Sequence, residues 1–362
     1  MPYYKGTIDR LNRRAAKYVA EKLLTMRKPL ATQLPPRNID KSILFATWNL
    51  REFGSNKKYG ARLPESLLYI AEIINNFDII ALQEINKDLR NLQELAQILG
   101  DWWDYLVTDV SEGRPGNRER LAFVYDTRKV RFDHLAGEIT LPSDAKGPTR
   151  QPARSPFICS FRVGWRRISF CTVHIYYGDS NPNNEVRVQE IRSIAELLHK
   201  RNYDRQHTPD GEPESVVFLG DFNIFNRKGD LTSKALEENQ FIVPFALRNL
   251  PGSNAAQDKH YDQIAFHDPS RWLHAKRRAG VLNFFPLVYP LKPGVQEAEA
   301  MRRGAKNKYL KAKNKEIFYK NWQTYQISDH LPLWIELKTD HSDAYLASVM
   351  HGKTKKAGGH YR

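Results

Sequence analysis

Side chains able to hold a metal or move a proton recur at the ends of apolar runs in this sequence. Asn49 follows SILFATW, Glu84 follows DIIALQ, and His174 comes late in ISFCTVHI. Asp221 and Asn223 follow VVFLG, Asp262 lies in YDQIAF, and Asp329-His330 opens the run HLPLWIEL. One such residue alone reads as a turn former or a hydrogen-bonded core group. Polar residues beside so many different runs read as a site assembled from strand ends and their loops. Carboxylate and amide oxygens suit a hard divalent cation such as Mg²⁺, whereas a soft metal wants cysteine. Imidazole beside such a cation donates to phosphate oxygens or carries a proton.

The elements that must position these residues alternate along the chain. Strands are expected at 42–48, 77–84, 102–109, 119–126, 155–161, 168–175, 216–223, 261–266 and 330–337. Helices are expected at 64–76, where Pro64 suits a first turn, at 87–100, which ends on Gly100, and at 184–201. Continuous apolar runs such as DIIAL and VVFL imply sheets covered by helices. Successive strands without a helix around 119–174 imply antiparallel pairing as well, so the expectation is two mixed sheets packed face to face with helices outside. Ahead of them, residues 6–27 carry a helical apolar stripe, and PLATQLPPRN (29–38) reads as a proline-marked linker.

Charge is unevenly placed. The 362 residues carry a net +15. Residues 1–41 hold ten basic and three acidic side chains, residues 271–320 thirteen and three, and residues 341–362 four and one, which leaves a slightly acidic body. Basic appendages beside a carboxylate-rich site point to a polyanionic partner, or else they serve only solubility. An apolar fraction of 41% with 11% aromatics excludes a disordered chain. No run approaches the ~20 apolar residues needed to span a bilayer. Two cysteines, Cys159 and Cys171, with no apolar leader, point to a reducing cytoplasmic compartment, with both thiols free and buried.

The runs WNLREFG (48–54), LQE (82–84), ERLAFVYD (119–126), RSPF (154–157), TVHIYYGD (172–179), GDFN (220–223), YDQI (261–264) and SDHLPLW (328–334) occur together in an order that resembles the endonuclease/exonuclease/phosphatase superfamily, whose type member is deoxyribonuclease I. The resemblance spans roughly 42–338. It implies a four-layer α/β/β/α sandwich and hydrolysis of a phosphate ester by water, with Mg²⁺, or Mn²⁺ or Ca²⁺ in its place. Carried over, it implies Glu84 as principal metal ligand, with Asn49 and Asp329 nearby. Asp221 and Asn223 would flank the scissile phosphate, Asp221 orienting or deprotonating the water. His330 paired with Asp262, and His174 supported by Glu119, would do acid–base work on either side, and Arg154 would touch phosphate. His174 with Glu119 leans toward the deoxyribonuclease I and phosphatase branches, since apurinic-site nucleases carry Tyr in place of that histidine.

This resemblance divides the chain into a basic N-terminal helix and linker (1–41), a catalytic domain (42–340) with a basic insertion (292–320), and a basic tail (341–362). The leading expectation is a metal-dependent endonuclease on DNA. Arg302, Arg303, Lys306, Lys308, Lys311 and Lys313 are expected near the active-site face, where a nucleic-acid backbone would pass. The alternative is a phosphatase or phosphodiesterase on an inositol phosphate, phospholipid or nucleotide, although the WxGDxNxR and CDR signatures of inositol polyphosphate phosphatases are replaced by GDFNIF and YDQI. A binding module with a relic site is a third reading, opposed by the complete polar set. The N-terminal helix either docks a protein partner or packs on its own domain.

Overall fold

The computed structural model describes the chain except residues 1, 55–59, 113–116, 143–149, 208–213, 270–272, 274, 291–294, 306–307, 309–310 and 352–362. The strands are β1 (Ser42–Phe53), β2 (Ile79–Asn86), β3 (Trp103–Val107), β4 (Glu119–Asp126), β5 (Val130–Glu138), β6 (Phe157–Val163), β7 (Arg166–His174), β8 (Ser215–Asp221), β9 (Asp262–His267), β10 (Ala275–Val281) and β11 (Leu333–Lys338). They form two mixed sheets, ordered β10-β11-β1-β2-β4-β3 and β5-β6-β7-β8-β9. The helices are α1 (Lys5–Ile8), α2 (Arg13–Gln33), α3 (Pro64–Ile74), α4 (Arg90–Leu99), α5 (Glu185–Gln206), α6 (Leu231–Glu237), α7 (Val295–Ala305), α8 (Lys315–Gln326) and α9 (Ser342–Met350).

Alternation along β1 explains the layering. Ile43 and Phe45 point into the core between the sheets, while Leu44, Ala46, Trp48 and Leu50 join a second core under the outer helices. Phe45 meets Phe170 edge-on at 5.4 Å, and Phe123 meets Phe161 at 5.7 Å, which ties one sheet to the other. Helices α2, α3, α4, α7 and α8 cover the first sheet, and α5 and α6 contribute Ile191, Ile194, Ala235 and Leu236 to the core of the second. The result is the expected four-layer α/β/β/α sandwich.

The N-terminal region departs from the sequence expectation. Two helices replace the single one at 6–27, because the Asn12 side chain accepts from the Ala15 N–H at 2.9 Å and caps a fresh start. The segment 29–33, expected as linker, continues α2 through Pro29. Burial of Leu30 and Leu34 in the outer core offsets the backbone bond that proline removes. The apolar stripe Ala15, Val19, Leu23 and Met26 is buried against this same body. Lys22 and Arg14 pair with Glu297 and Glu299 of α7 at 3.6 and 3.3 Å, and Tyr18 bonds to Glu297. Much of the basic insertion therefore lies on the outer helical layer.

Strand register sets the site. Parallel pairing of β7 with β8 places His174 opposite Asp221, and antiparallel pairing of β8 with β9 places Asp221 opposite Asp262. Gly220 makes this possible. Its φ is +142°, and a Cβ there would sit 2.1 Å from the Val173 carbonyl oxygen. Gly220→Ala is expected to destabilise the fold by about 3 kcal/mol in urea unfolding, because β7 and β8 must part. An unchanged midpoint would contradict this close approach.

Candidate active site

The expected catalytic, metal-binding and phosphate-binding residues lie at one end of the two sheets, whereas the described ones of the basic insertion do not join them there. On the first sheet, irregular pairing between Asn49 and Phe53, and between Leu82 and Ile85, breaks the ladders where ligands are needed. Glu84 takes a left-handed φ of 59°, as do Arg51 at 42° and Glu52 at 46°. Such backbone costs on the order of 1–2 kcal/mol per residue and survives only where surroundings enforce it. For Arg51 and Glu52 that enforcement comes from Arg62, whose buried guanidinium donates to the carbonyls of Leu50, Arg51 (2.9 Å), Glu52 (3.0 Å), Gln326 (3.1 Å) and Ile327 (3.2 Å). Burial pulls its pKa down to about 9.

Glu84 Oε1 accepts from Asn49 Nδ2 at 2.7 Å, and Oε2 from the Glu52 N–H at 2.8 Å. Asn49 Nδ2 also reaches Asp221 Oδ2 at 3.0 Å, while its Oδ1 accepts from the Arg51 N–H. Asn49 thus stands as a donor between two carboxylates. Asp329 is 38% exposed and pairs with Arg51 at 3.2 Å. Arg51 in turn lies 4.0 Å over the Tyr325 ring and bonds to Thr324, so the end of α8 abuts the site.

Across the two sheets, two carboxylate-held imidazoles converge on one aspartate, with Glu119 on β4 and His330 ahead of β11 facing His174, Asp221 and Asp262 on β7, β8 and β9. Glu119 Oε2 meets His174 Nδ1 at 2.9 Å, and Asp262 Oδ2 meets His330 Nδ1 at 2.8 Å. The far nitrogens of His174 and His330 lie 3.5 and 3.7 Å from Asp221 Oδ2. Burial works against a proton on either ring. The negative charge of Glu119 nevertheless raises His174 above its ordinary value, and Asp262 with Asp221 raises His330 well above it. Glu119 is itself held low despite burial by His174 and Arg154, whereas burial and the neighbouring Glu119 push Glu84 up. Arg154 is buried behind His174 and donates to Glu119, which places it as a partner of that carboxylate in this structure. Asn223, at a φ of 52°, donates its N–H to Asp221 Oδ1 at 2.9 Å and its Nδ2 to the Ile175 carbonyl at 2.8 Å.

The donor set fits a hard divalent cation. Ligand atoms of Glu84, Glu119 and His174 lie within 4.8 Å of one another, and oxygen predominates. Glu84 is common to this group and to the expected set; of the other two expected residues, Asn49 bonds to Glu84 and Asp221, and Asp329 pairs with Arg51. Of the basic insertion residues, Arg302, Lys308, Lys311 and Lys313 are exposed, Arg303 pairs with Glu65 of α3, and Lys306 lies outside the described residues.

Three supporting residues had no sequence signal. Arg62 is one. Arg187 is the second: it sits fully buried in α5 and donates to the carbonyls of Tyr176 (3.2 Å), Tyr177, Asp179 (2.8 Å) and Asn181 (3.1 Å), fixing the loop after His174. Glu190, pushed up to about 7 by burial, accepts from the N–H groups of Ala153 and Tyr176. Cys159 and Cys171 are free and buried, as expected.

Comparison with known proteins finds the same fold. The chain is similar over 82% of its length to 99% of a Bacteroides thetaiotaomicron mannosyl-6-phosphatase (19% identity, TM-score 0.54) and to 95% of the human Nocturnin catalytic domain (14%, 0.53). It is similar over 83% to the whole of D. rerio TDP2 complexed with single strand DNA product (12%, 0.51). At these identities the likeness is one of fold. No curated protein sequence matches the chain. The sequence model of the Endonuclease/Exonuclease/phosphatase family matches residues 46–272. With that match over more than half its length and the four-layer fold it shares, this chain belongs to the Endonuclease/Exonuclease/phosphatase family.

Proposed function

We propose that the chain is a Mg²⁺-dependent phosphodiesterase that cleaves DNA internally. The observation that carries this reading is the convergence of two carboxylate-held imidazoles on Asp221, beside Glu84. A divalent cation held by Glu84, with Glu119 and His174 nearby, would supply positive charge against the non-bridging phosphate oxygens. Asp221 Oδ2 holds the attacking water in line and takes its proton as the new oxygen–phosphorus bond forms. The imidazoliums of His174 and His330 donate to the phosphate oxygens, and His330 passes a proton to the leaving oxygen as the old bond breaks. Asp262 and Glu119 keep those protons in place. The +15 charge, concentrated in appendages, favours a polyanion over a small ester. That D. rerio TDP2 is seen with single-stranded DNA product favours the same class.

Supercoiled plasmid with Mg²⁺ or EDTA, run beside phosphate release from sugar and inositol phosphates, tests this reading. Nicked circles only with metal are expected. Phosphate release without nicking would replace it by the small-substrate phosphatase.

The raised imidazole values carry a pH prediction. If protonated rings are needed, kcat/KM falls only as pH rises through values above the ordinary ~6.5 of histidine. Asp262→Asn removes the charge that holds the His330 proton. It should move the alkaline limb down by about 1–2 pH units. A limb left in place would remove His330 from the proton-donating role.

A further inference from the structure

Beside His330 the surface carries aromatic rings that the phosphoryl chemistry does not use. The Tyr261 ring lies 5.5 Å from the His330 ring at a 32° tilt. Phe225 meets Tyr261 edge-on at 5.4 Å, and Tyr177 meets Tyr261 at 6.5 Å and 83°. Tyr177 and Phe225 are tilted only 34° from each other at 6.0 Å. Phe225 is buried, whereas Tyr177 is 42% exposed, which presents aromatic surface next to the site.

These rings are held rigid from below. The buried Arg187 guanidinium lies 5.5 Å from the Tyr177 ring and 5.1 Å from that of Phe225, while its N–H groups bind the carbonyls of the 176–181 loop. Lys259 Nζ stands 5.4 Å from the Phe225 ring, adding a cation at the rim. A buried arginine spent on one loop, with its aromatic rings fixed beside a reacting centre, is more than solubility or packing requires.

Position names the occupant. Tyr177 neighbours Tyr261, which neighbours His330, so a group resting on Tyr177 is close enough to belong to the same molecule as a phosphate held between Asp221 and His330. Aromatic rings with cations nearby suit a flat, polarizable ring joined to an anion. We infer that Tyr177, Phe225 and Tyr261 form a stacking subsite for an unpaired nucleobase next to the scissile phosphate, so that the enzyme acts on single-stranded or frayed nucleic acid. This inference rests on the nucleic-acid reading above and narrows it.

The test uses the full chain and the exposed member of the set, Tyr177, which lies outside the acid–base machinery. The wild type should bind a thymidine hexamer in EDTA about tenfold more tightly than an abasic hexamer of equal charge. Tyr177→Ala should bind both at the abasic level, and Tyr177→Trp should restore the difference. With Mg²⁺, Tyr177→Ala should raise KM for thymidine 5′-p-nitrophenyl phosphate about tenfold at unchanged kcat. It should leave methyl p-nitrophenyl phosphate, which has no base, unaffected. Equal binding of the two hexamers by the wild type would overturn the subsite. So would an equal loss on both esters, or inhibition by mannose 6-phosphate but not by thymidine monophosphate. Failure to hydrolyse any ester would instead sink the phosphodiesterase reading, and the hexamer comparison would still decide the subsite.

Discussion

A Glu84→Gln protein is expected to fold normally and to lose metal-dependent cleavage by at least about a hundredfold, or about 2.7 kcal/mol of transition-state stabilisation. Glutamine keeps the bulk of the side chain and still accepts from Asn49 through its amide oxygen. It lacks the charge that draws a divalent cation into a pocket already crowded by Glu119. Burial and that neighbour raise the Glu84 carboxyl, so uncompensated negative charge is stored there. Removing one charge should leave the apo protein no less stable while weakening Mg²⁺ binding. Isothermal titration with Mg²⁺ and a plasmid-nicking time course check the two halves separately. Near-normal cleavage by a folded variant would remove Glu84 from the metal site.

His174→Ala and His330→Ala should each cost about 10²–10⁴-fold in kcat. The double variant should be little worse than the poorer single one, because both far nitrogens converge on Asp221 Oδ2 and act on one phosphoryl group. Fully multiplicative losses would mean that the two rings serve separate steps. The carboxylates behind them bear on the same point: loss of Glu119 removes the nearest negative charge from His174 and also leaves Arg154 buried without its partner. Glu119→Gln is therefore expected to impair stability as well as rate, unlike Glu84→Gln.

The ends of the central strands were legible in the sequence because they combine two signals. VVFLGDFN and DIIALQE each show a run apolar enough to be buried on both faces, ended by a residue that is costly to bury. The same logic found ERLAFVYD at its observed bounds. It missed β5 and β10, which are edge strands carrying FDH and KRR within them. Edges favour charge because an apolar edge would pair with another chain, so a strand there reads as a loop. It also missed the extent of α2, since Pro29 reads as a stop and only tertiary burial of Leu30 and Leu34 carries the helix past it.

The candidate site side chains were legible and their supports were not. Arg187 sits in NEVRVQE, where its neighbours read as the solvated face of a helix, yet it is fully buried and spends its donors on four carbonyls. Arg62 likewise serves backbone oxygens from β1 and from residues 326–327, which no local spacing announces. A residue that answers to main-chain groups elsewhere in the fold leaves no pattern in its own neighbourhood. The basic insertion is a related case. Its charge was visible, but the ion pairs of Glu297 and Glu299 with α2, and of Arg303 with α3, which fix α7 on the outer layer, depend on tertiary packing.

In the proposed reaction, water held by Asp221 and assisted by a cation on Glu84 attacks phosphorus directly. Cleavage of a defined DNA phosphodiester in ¹⁸O-enriched water, with product oxygens read by mass spectrometry, tests it most directly. One solvent oxygen per turnover is expected in the phosphate-bearing product and none in the alcohol, with incorporation abolished by EDTA and reduced at least about a hundredfold in Glu84→Gln. Label in the alcohol, or incorporation that survives EDTA and the Glu84 substitution, would contradict it.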